Sequence, residues 1–210
     1  GSLNASAVPM ASFITASAAL PFAIVAVTLL FRKRWLASMA LASAVFNIHP
    51  YIGLLGAAAI AAVILNQREI EWKQRITWVV AGGVLALPNA IYILTHLPSN
   101  FGSTGFDLYG QFRQYAMHAF VEDHWREGYG WFVVNMAGLV WFMRYISAWQ
   151  RRTVWLFNGT LCGLMFLYVL NAYVVKNTAV LLMFLFRATY FIKPILFIIV
   201  VNGLYRWHSE

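Results

Sequence analysis

The sequence predicts an all-α, polytopic integral membrane protein, and three observations carry this prediction. Apolar residues make up 61% of the 210 residues, charged residues only 10%, and the mean hydropathy is +0.68. A soluble domain carries about 25% charged residues and cannot bury this much apolar surface in one small core. The apolar residues also form long runs, separated by short basic or polar segments. Long runs of this kind are typical of membrane-spanning helices.

The charge balance supports the same fold class. Fifteen Lys and Arg against seven Asp and Glu give a formal net charge of +8. In a soluble protein this excess would suggest nucleic acid, but here the cations lie between apolar runs and set membrane orientation. We therefore expect membrane lipids and no nucleic acid as partners. The single cysteine, Cys162, excludes a disulfide framework and a cysteine-based metal site.

The first apolar run, residues 8–31, is long enough to span a bilayer and stops at Arg32-Lys33-Arg34. Three adjacent cations place this end in the cytoplasm, so the preceding N-terminus starts outside. The first residues include no initiator Met and do not resemble a signal peptide. We therefore expect either a processed chain or the C-terminal part of a longer protein.

Residues 35–65 are apolar but interrupted by Asn47-Ile48-His49-Pro50. Proline cannot continue a helical hydrogen-bond ladder, and it disfavours helical geometry in the residue before it. The segment is therefore either one long kinked helix or a hairpin of two short helices. The next polar segment, 66–75, carries Arg68, Lys73 and Arg75, which favours the cytoplasm and therefore the hairpin, with its tip near the outer face.

Residues 76–97 form a further predicted span, in which Pro88 is tolerated as a kink. The polar stretch 98–128 that follows has four carboxylates and two arginines, so it belongs outside. After a loop, its apolar residues recur at helical spacing from Phe112 to Phe120. This narrow stripe predicts an extracytoplasmic helix that lies in the membrane interface.

Three more spans are predicted, at 129–146, 154–175 and 179–205. With this topology ten of the fifteen cations lie on the cytoplasmic side, three lie outside and two lie within the last span. The whole chain is then a single transmembrane domain of five full spans, one short-helix hairpin and one interfacial helix.

Two cations, Arg187 and Lys193, stand within the last apolar run. A cation near the bilayer centre costs about 2.5–3.5 kcal/mol, so it needs carbonyls, water, a carboxylate or a bound anion. No Asp or Glu occurs in any apolar run, which makes an anionic ligand more attractive. The alternatives are that Lys193 reaches the inner headgroups and that Arg187 binds carbonyls at a helix break.

The densest titratable cluster is His118, Glu122, Asp123 and His124. On a helix His118 and Glu122 lie one turn apart, a spacing that can hold a divalent metal ion, although no second cluster supplies the remaining ligands. The alternatives are a solvated helix face and an acid or base beside a substrate. His49 could donate a proton or bind a phosphate at the hairpin tip, or its role could be structural.

The stretch from Phe31 to Leu54, with its basic turn, short helices and His49-Pro50, resembles a pattern of bacterial GT-C-type polytopic glycosyltransferases. The interfacial helix and Arg187 are also similar to that superfamily. The resemblance covers residues 6–65 best and the remainder loosely. It implies location in the bacterial inner membrane and transfer of a polyprenyl-phosphate-linked sugar at the extracytoplasmic face.

The resemblance also implies roles for residues. His49 would lie near the active cleft, and Arg187 would bind the lipid phosphate. The superfamily's acidic residue in the first outer loop has no counterpart here, so it lies upstream of this chain or is replaced by Asp107, Glu122 or Asp123. The catalytic candidates are therefore Asp123, Glu122 and His49, and the substrate- or phosphate-binding candidates are Arg187, His118, His124 and Lys193.

Two other classes of function remain open from the sequence. One is a non-catalytic membrane subunit that binds lipid or scaffolds other membrane subunits. The other is a transporter for an anionic or lipid substrate, although the sequence has no duplicated pair of broken helices that would supply alternating gates.

Overall fold

A computed structural model describes residues 7–96 and 128–175, together with residues 191, 195, 199, 200 and 203–205. Every secondary-structure element in this part of the chain is a helix, which confirms the all-α prediction. Two of these helical stretches, Trp72–Thr95 with 24 residues and Ala148–Val175 with 28, are long and apolar enough to cross a membrane. The chain divides into two compact units, Gly1–His96 and Leu97–Glu210.

The first unit contains four helices: α1 (Ala7–Phe31), α2 (Trp35–Ile48), α3 (Pro50–Leu65) and α4 (Trp72–His96). Helix α2 packs against each of the other three. The apolar side chains buried between these helices include Leu30, Val45, Leu55, Ile60 and Ile64. Many neighbouring buried positions are Ala, Gly or Ser, which lets apolar helices approach closely.

Helix α1 ends in a tight reversal at the basic turn. Lys33 adopts a left-handed conformation with φ of 57°. The Arg34 N–H donates to the Leu29 carbonyl at 2.9 Å and the Lys33 N–H donates to the Leu30 carbonyl at 2.9 Å. This pair of bonds is the Schellman arrangement, which satisfies the last carbonyls of a helix and turns the chain back. It sends α2 back along α1, where the buried Ser38 hydroxyl donates to the Ala26 carbonyl at 2.7 Å.

Of the two arrangements left open for residues 35–65, the structure has the hairpin. Only His49 separates α2 from α3, and its extended backbone, with φ of −143° and ψ of 100°, ends one helix and caps the next. At the far end of the two helices, Lys33 Nζ lies 3.4 Å from Glu69 Oε2. The α1–α2 and α3–α4 turns are therefore neighbours. We name this end, residues 32–34 and 66–75, the basic end, and residues 46–53 the hairpin tip.

Helix α4 begins at Trp72, four residues before the expected start at Ile76. The Arg75 guanidinium lies 5.0 Å from the centre of the Trp72 ring and donates to the Leu65 carbonyl at 2.6 Å. These contacts hold the first turn of α4 against the end of α3. Helix α4 then runs parallel to α2, so Leu85 and Asn89 in its second half lie at the level of the hairpin tip.

The second unit has two described helices joined by a short turn. Helix α5 (Gly128–Phe142) continues into a 3₁₀ turn, Met143–Tyr145, and α6 spans Ala148–Leu170 before a π turn at Asn171–Val175. We expected the corresponding span to start at residue 154, but α6 starts earlier because Ser147 and Gln150 form a capping box. This motif satisfies N–H groups at the helix start and carries the helix out beyond its apolar run.

Part of the last apolar run packs within the second unit. Phe191, Ile195 and Ile199 are buried and lie four residues apart, one face of a helix. The rings of Phe191 and Phe157 meet edge to face with centres 6.1 Å apart. Gly203 lies against the Phe142 ring of α5.

Candidate functional site

His49 is the one sequence-predicted site residue within the described part of the chain. It lies in the hairpin tip and is only 3% exposed. Its Nδ1 accepts a hydrogen bond from the Ile52 N–H at 3.4 Å, and its ring meets the Tyr51 ring edge to face at 5.7 Å. The imidazole therefore serves as the N-cap of α3 in this structure.

The hairpin tip is tied to α4 by two asparagines, each of which bonds to backbone groups beside a proline. Pro50 has no N–H, so the Phe46 carbonyl lacks its helical donor four residues ahead. The Asn89 side chain of α4 supplies that donor, with Nδ2 at 2.7 Å from the Phe46 oxygen. The broken end of α2 is thus completed by a side chain from another helix.

The second asparagine binds the backbone of α4 beside its proline. Pro88 lies inside α4 and has no N–H for the Val84 carbonyl, so the helix is weakened at this level. The Asn47 side chain bridges the next two groups of the ladder: Nδ2 donates to the Leu85 carbonyl at 2.9 Å, and Oδ1 accepts from the Asn89 N–H at 3.2 Å. We call Asn47 and Asn89 the asparagine clamp. It holds the α2–α3 break and the α4 kink together.

The tip and the carboxylates of the first unit lie at opposite ends. The only Asp or Glu residues among the first 96 are Glu69 and Glu71, and both belong to the basic end. The polar groups at the tip are an imidazole and two amides, and the structure uses all three to satisfy backbone groups. Within the first unit, therefore, no carboxylate lies at the tip.

The remaining candidate site residues lie outside the described residues. These are the catalytic candidates Glu122 and Asp123, with Asp107, and the phosphate-binding candidates His118, His124, Arg187 and Lys193. The predicted interfacial helix at 98–128 and most of the predicted span at 179–205 also lie outside them. Within the part that is described, no group of three or more His, Cys, Asp or Glu side chains is arranged to hold a metal ion.

Sequence reasoning missed the asparagine clamp, and it also missed a polar pair on the buried face of α6. Thr153 and Asn158 are 0% and 1% exposed. The Thr153 hydroxyl and both polar atoms of the Asn158 amide have no hydrogen-bond partner within the described structure. The sequence contains a signal for both. Each clamp asparagine lies within three residues of a proline, and Asn158 places an amide inside an apolar run.

Replacing either member of this pair is expected to raise stability. Asn158→Leu removes two unpartnered buried groups, and Thr153→Val removes one, each such group costing about 1–3 kcal/mol. Thr160→Val is the matched control, because the Thr160 hydroxyl donates to the Leu156 carbonyl at 2.8 Å. Thermal unfolding of the purified variants should rank Thr153→Val above Thr160→Val. The reverse order would mean that the pair binds a group beyond the described residues.

Comparisons with protein-family models, with curated proteins and with solved structures found no match for this chain. Any functional conclusion therefore depends on the residues and their geometry.

Proposed function

We propose that this chain is a multi-pass integral membrane protein of the bacterial inner membrane, with its basic end in the cytoplasm. The support comes from the surface of α4. Val84, Ile91 and Leu94 on this helix are 58%, 55% and 71% exposed. A helix this long with so many large apolar side chains on its open face is suited to lipid rather than to water. The three-cation turn and the other cations of the basic end then follow the positive-inside rule.

Within the membrane, we propose transfer of a sugar from a polyprenyl phosphate at the extracytoplasmic face. The observation that carries this proposal is the polarity of the first unit: the hairpin tip and the end of α4 lie opposite the basic end. The acidic segment with Glu122 and Asp123 continues from that end of α4 in the sequence. The positive-inside rule then puts both the tip and this acidic segment on the extracytoplasmic side.

The proposed transfer forms one bond, breaks one bond and moves one proton. An acceptor hydroxyl attacks the anomeric carbon of the lipid-linked sugar, and its proton passes to Asp123 or Glu122 as general base. The bond between the anomeric carbon and the phosphate oxygen breaks, and the electron pair leaves with the polyprenyl phosphate. Arg187 would stabilise this anion with a fixed positive charge, assisted by Lys193 and by His118 or His124. A divalent metal ion held by His118 and Glu122 would serve the same purpose.

The first test is binding of the leaving group. The full chain, extracted in mild detergent, is mixed with a long-chain polyprenyl phosphate or with phosphatidylglycerol, and bound lipid is counted by native mass spectrometry. We expect one polyprenyl phosphate per chain for the wild type, loss of that adduct in Arg187→Leu, and partial retention in Arg187→Lys. Equal binding of both lipids, or an unchanged adduct in Arg187→Leu, would contradict the proposal.

A second candidate function is a non-catalytic membrane subunit, and one observation favours it. The polar groups of the tip bond to one another and to freed backbone, and His49 is buried as a helix cap. The cap is a structural use of His49, the one tip residue that the sequence suggested for catalysis. The same spectra separate the two functions, because a subunit would leave the membrane with other chains at fixed ratio and with ordinary phospholipid.

A further inference from the structure

The basic end concentrates exposed positive charge on two neighbouring turns. Residues 32–34 and 66–75 include six cations and two carboxylates, a formal net charge of +4. Five of the six cations are exposed, and Arg75 is half-buried. Lys33 and Glu69 form the one ion pair among the described residues, and this 3.4 Å contact joins the two turns. The remaining cations of both turns therefore outnumber the carboxylates beside them.

Lys33 holds its charge at a backbone position that glycine adopts more readily. It directly follows the last turn of α1, and its φ of 57° lies in the left-handed region. Helices that end in this way usually have glycine at that point, because a side chain crowds the backbone there. A lysine between Arg32 and Arg34 instead keeps the row of cations unbroken. The charge of this turn is thus present against a local conformational preference.

The starts of α2 and α4 add to the positive potential of this end. The partial positive charge at a helix N-terminus favours anions and acidic side chains, yet neither helix has an acidic residue in its first turn. Arg34 is the N-cap of α2 and makes no side-chain hydrogen bond to the helix. Lys73 and Arg75 lie in the first turn of α4, which Glu71 directly precedes. An anion from outside the chain would therefore be stabilised by the cations and by both helix ends.

Large apolar side chains border the cations at the same helix starts. Leu36 on α2 and Trp72 on α4 are 50% and 54% exposed, and Ile76, one turn further along α4, is 39% exposed. A phospholipid has the same order of groups, with a charged phosphate next to an apolar chain. Tryptophan at the junction of a polar and an apolar segment is typical of the headgroup region. This border therefore favours an anionic lipid over a soluble polyanion.

We propose that the basic end is a binding surface for anionic phospholipids of the cytoplasmic leaflet. The exposed cations of the two turns attract headgroup phosphates, and the apolar side chains beside them contact the first part of the acyl chains. Clusters of about four to eight cations next to a membrane-spanning helix bind anionic lipids in this way. The inference rests on the membrane location in the proposed function but not on the transferase activity.

The experiment titrates the full chain in mild detergent with phosphatidylglycerol or phosphatidylcholine, and native mass spectrometry counts the bound lipid. Arg68→Gln removes one cation, and Arg32→Gln/Arg68→Gln removes one from each turn. A cation near an anionic lipid is worth about fivefold in affinity, so we expect phosphatidylglycerol binding about fivefold and about thirtyfold weaker. Glu71→Gln is the matched control in the same segment. It should strengthen binding, because it removes an exposed negative charge.

Support requires a preference for phosphatidylglycerol over phosphatidylcholine, weaker binding in both arginine variants and stronger binding in Glu71→Gln. Arg151→Gln removes the same charge from an exposed position of α6, and equal weakening there would overturn the surface in favour of attraction set by net charge alone. Full competition by glycerol phosphate would overturn the lipid and leave a surface for free phosphate. Circular dichroism of each variant checks the fold, and unfolding would not produce a gain of affinity in Glu71→Gln.

A separate fractionation distinguishes this inference from the membrane location on which it rests. If the chain resists alkaline carbonate extraction but shows no preference for phosphatidylglycerol, the lipid surface is wrong and the membrane location stands. If the chain is released by carbonate, the membrane location is wrong, and the lipid surface is wrong with it.

Discussion

Gly53→Ala is expected to disrupt the helical hairpin, with a loss of about 3 kcal/mol or more in the free energy of unfolding. A Cβ atom built on Gly53 would overlap the backbone N and Cα of Phe46, on the facing helix. Overpacking costs about 1–3 kcal/mol when side chains can adjust, and backbone atoms cannot rotate away as side chains do. Helices α2 and α3 would have to separate at the tip. Thermal or denaturant unfolding of the purified protein measures the loss.

Two other glycines provide graded controls on α4. A Cβ on Gly82 would lie 2.7 Å from the Met39 side chain and 2.9 Å from the Ser43 hydroxyl, both able to move. Gly82→Ala should therefore cost less than Gly53→Ala. A Cβ on the adjacent Gly83 meets nothing within 4 Å, so Gly83→Ala should be neutral or stabilise the helix by up to about 1 kcal/mol. Equal stability of the Gly53→Ala and Gly83→Ala variants would refute the close approach at the tip.

Local sequence signals predicted much of the first unit. Pro50 marks the break in residues 35–65, and the cations on both sides of that segment favour a hairpin over a kinked helix. The proline signal works because proline geometry acts on the chain locally, while the charge signal predicts the hairpin through the proposed membrane topology. The sequence also contains a signal for the true start of α6, because Ser147 and Gln150 have the spacing of a capping box. The prediction placed the start at residue 154 because it followed the apolar run alone.

The asparagine clamp could not be predicted in the same way. Asn47 and Asn89 lie in separate apolar runs, and nothing in either run shows that the two prolines will lie at the same level. That level depends on α4 running parallel to α2, which follows from the length of the α3–α4 turn and from side-chain packing. The sequence also could not show that His49 caps α3, because a histidine before a proline can either cap the next helix or face a cleft.

Asn47→Leu is expected to cost about 2–4 kcal/mol in the free energy of unfolding. The substitution leaves the Leu85 carbonyl and the Asn89 N–H without the partners that bind them at 2.9 and 3.2 Å. Each unsatisfied backbone group costs about 1–3 kcal/mol, and more in an apolar environment. Asn66→Leu is the matched control, because the Asn66 amide donates to the Ala62 carbonyl of its own helix at 2.9 Å. We expect its loss to cost less than half as much.

Pro88 explains why Asn47 is needed, so removing the proline should remove the need. In a Pro88→Ala background residue 88 regains the N–H that the Val84 carbonyl needs, so α4 can straighten and the Asn89 N–H and the Leu85 carbonyl can pair more closely with each other. Asn47→Leu should then cost less than about 1 kcal/mol, which makes the two substitutions strongly non-additive in a double-mutant cycle. An equal cost in both backgrounds would mean that Asn47 stabilises the hairpin tip through some other contact. The cycle thus separates compensation for a broken ladder from simple packing between α2 and α4.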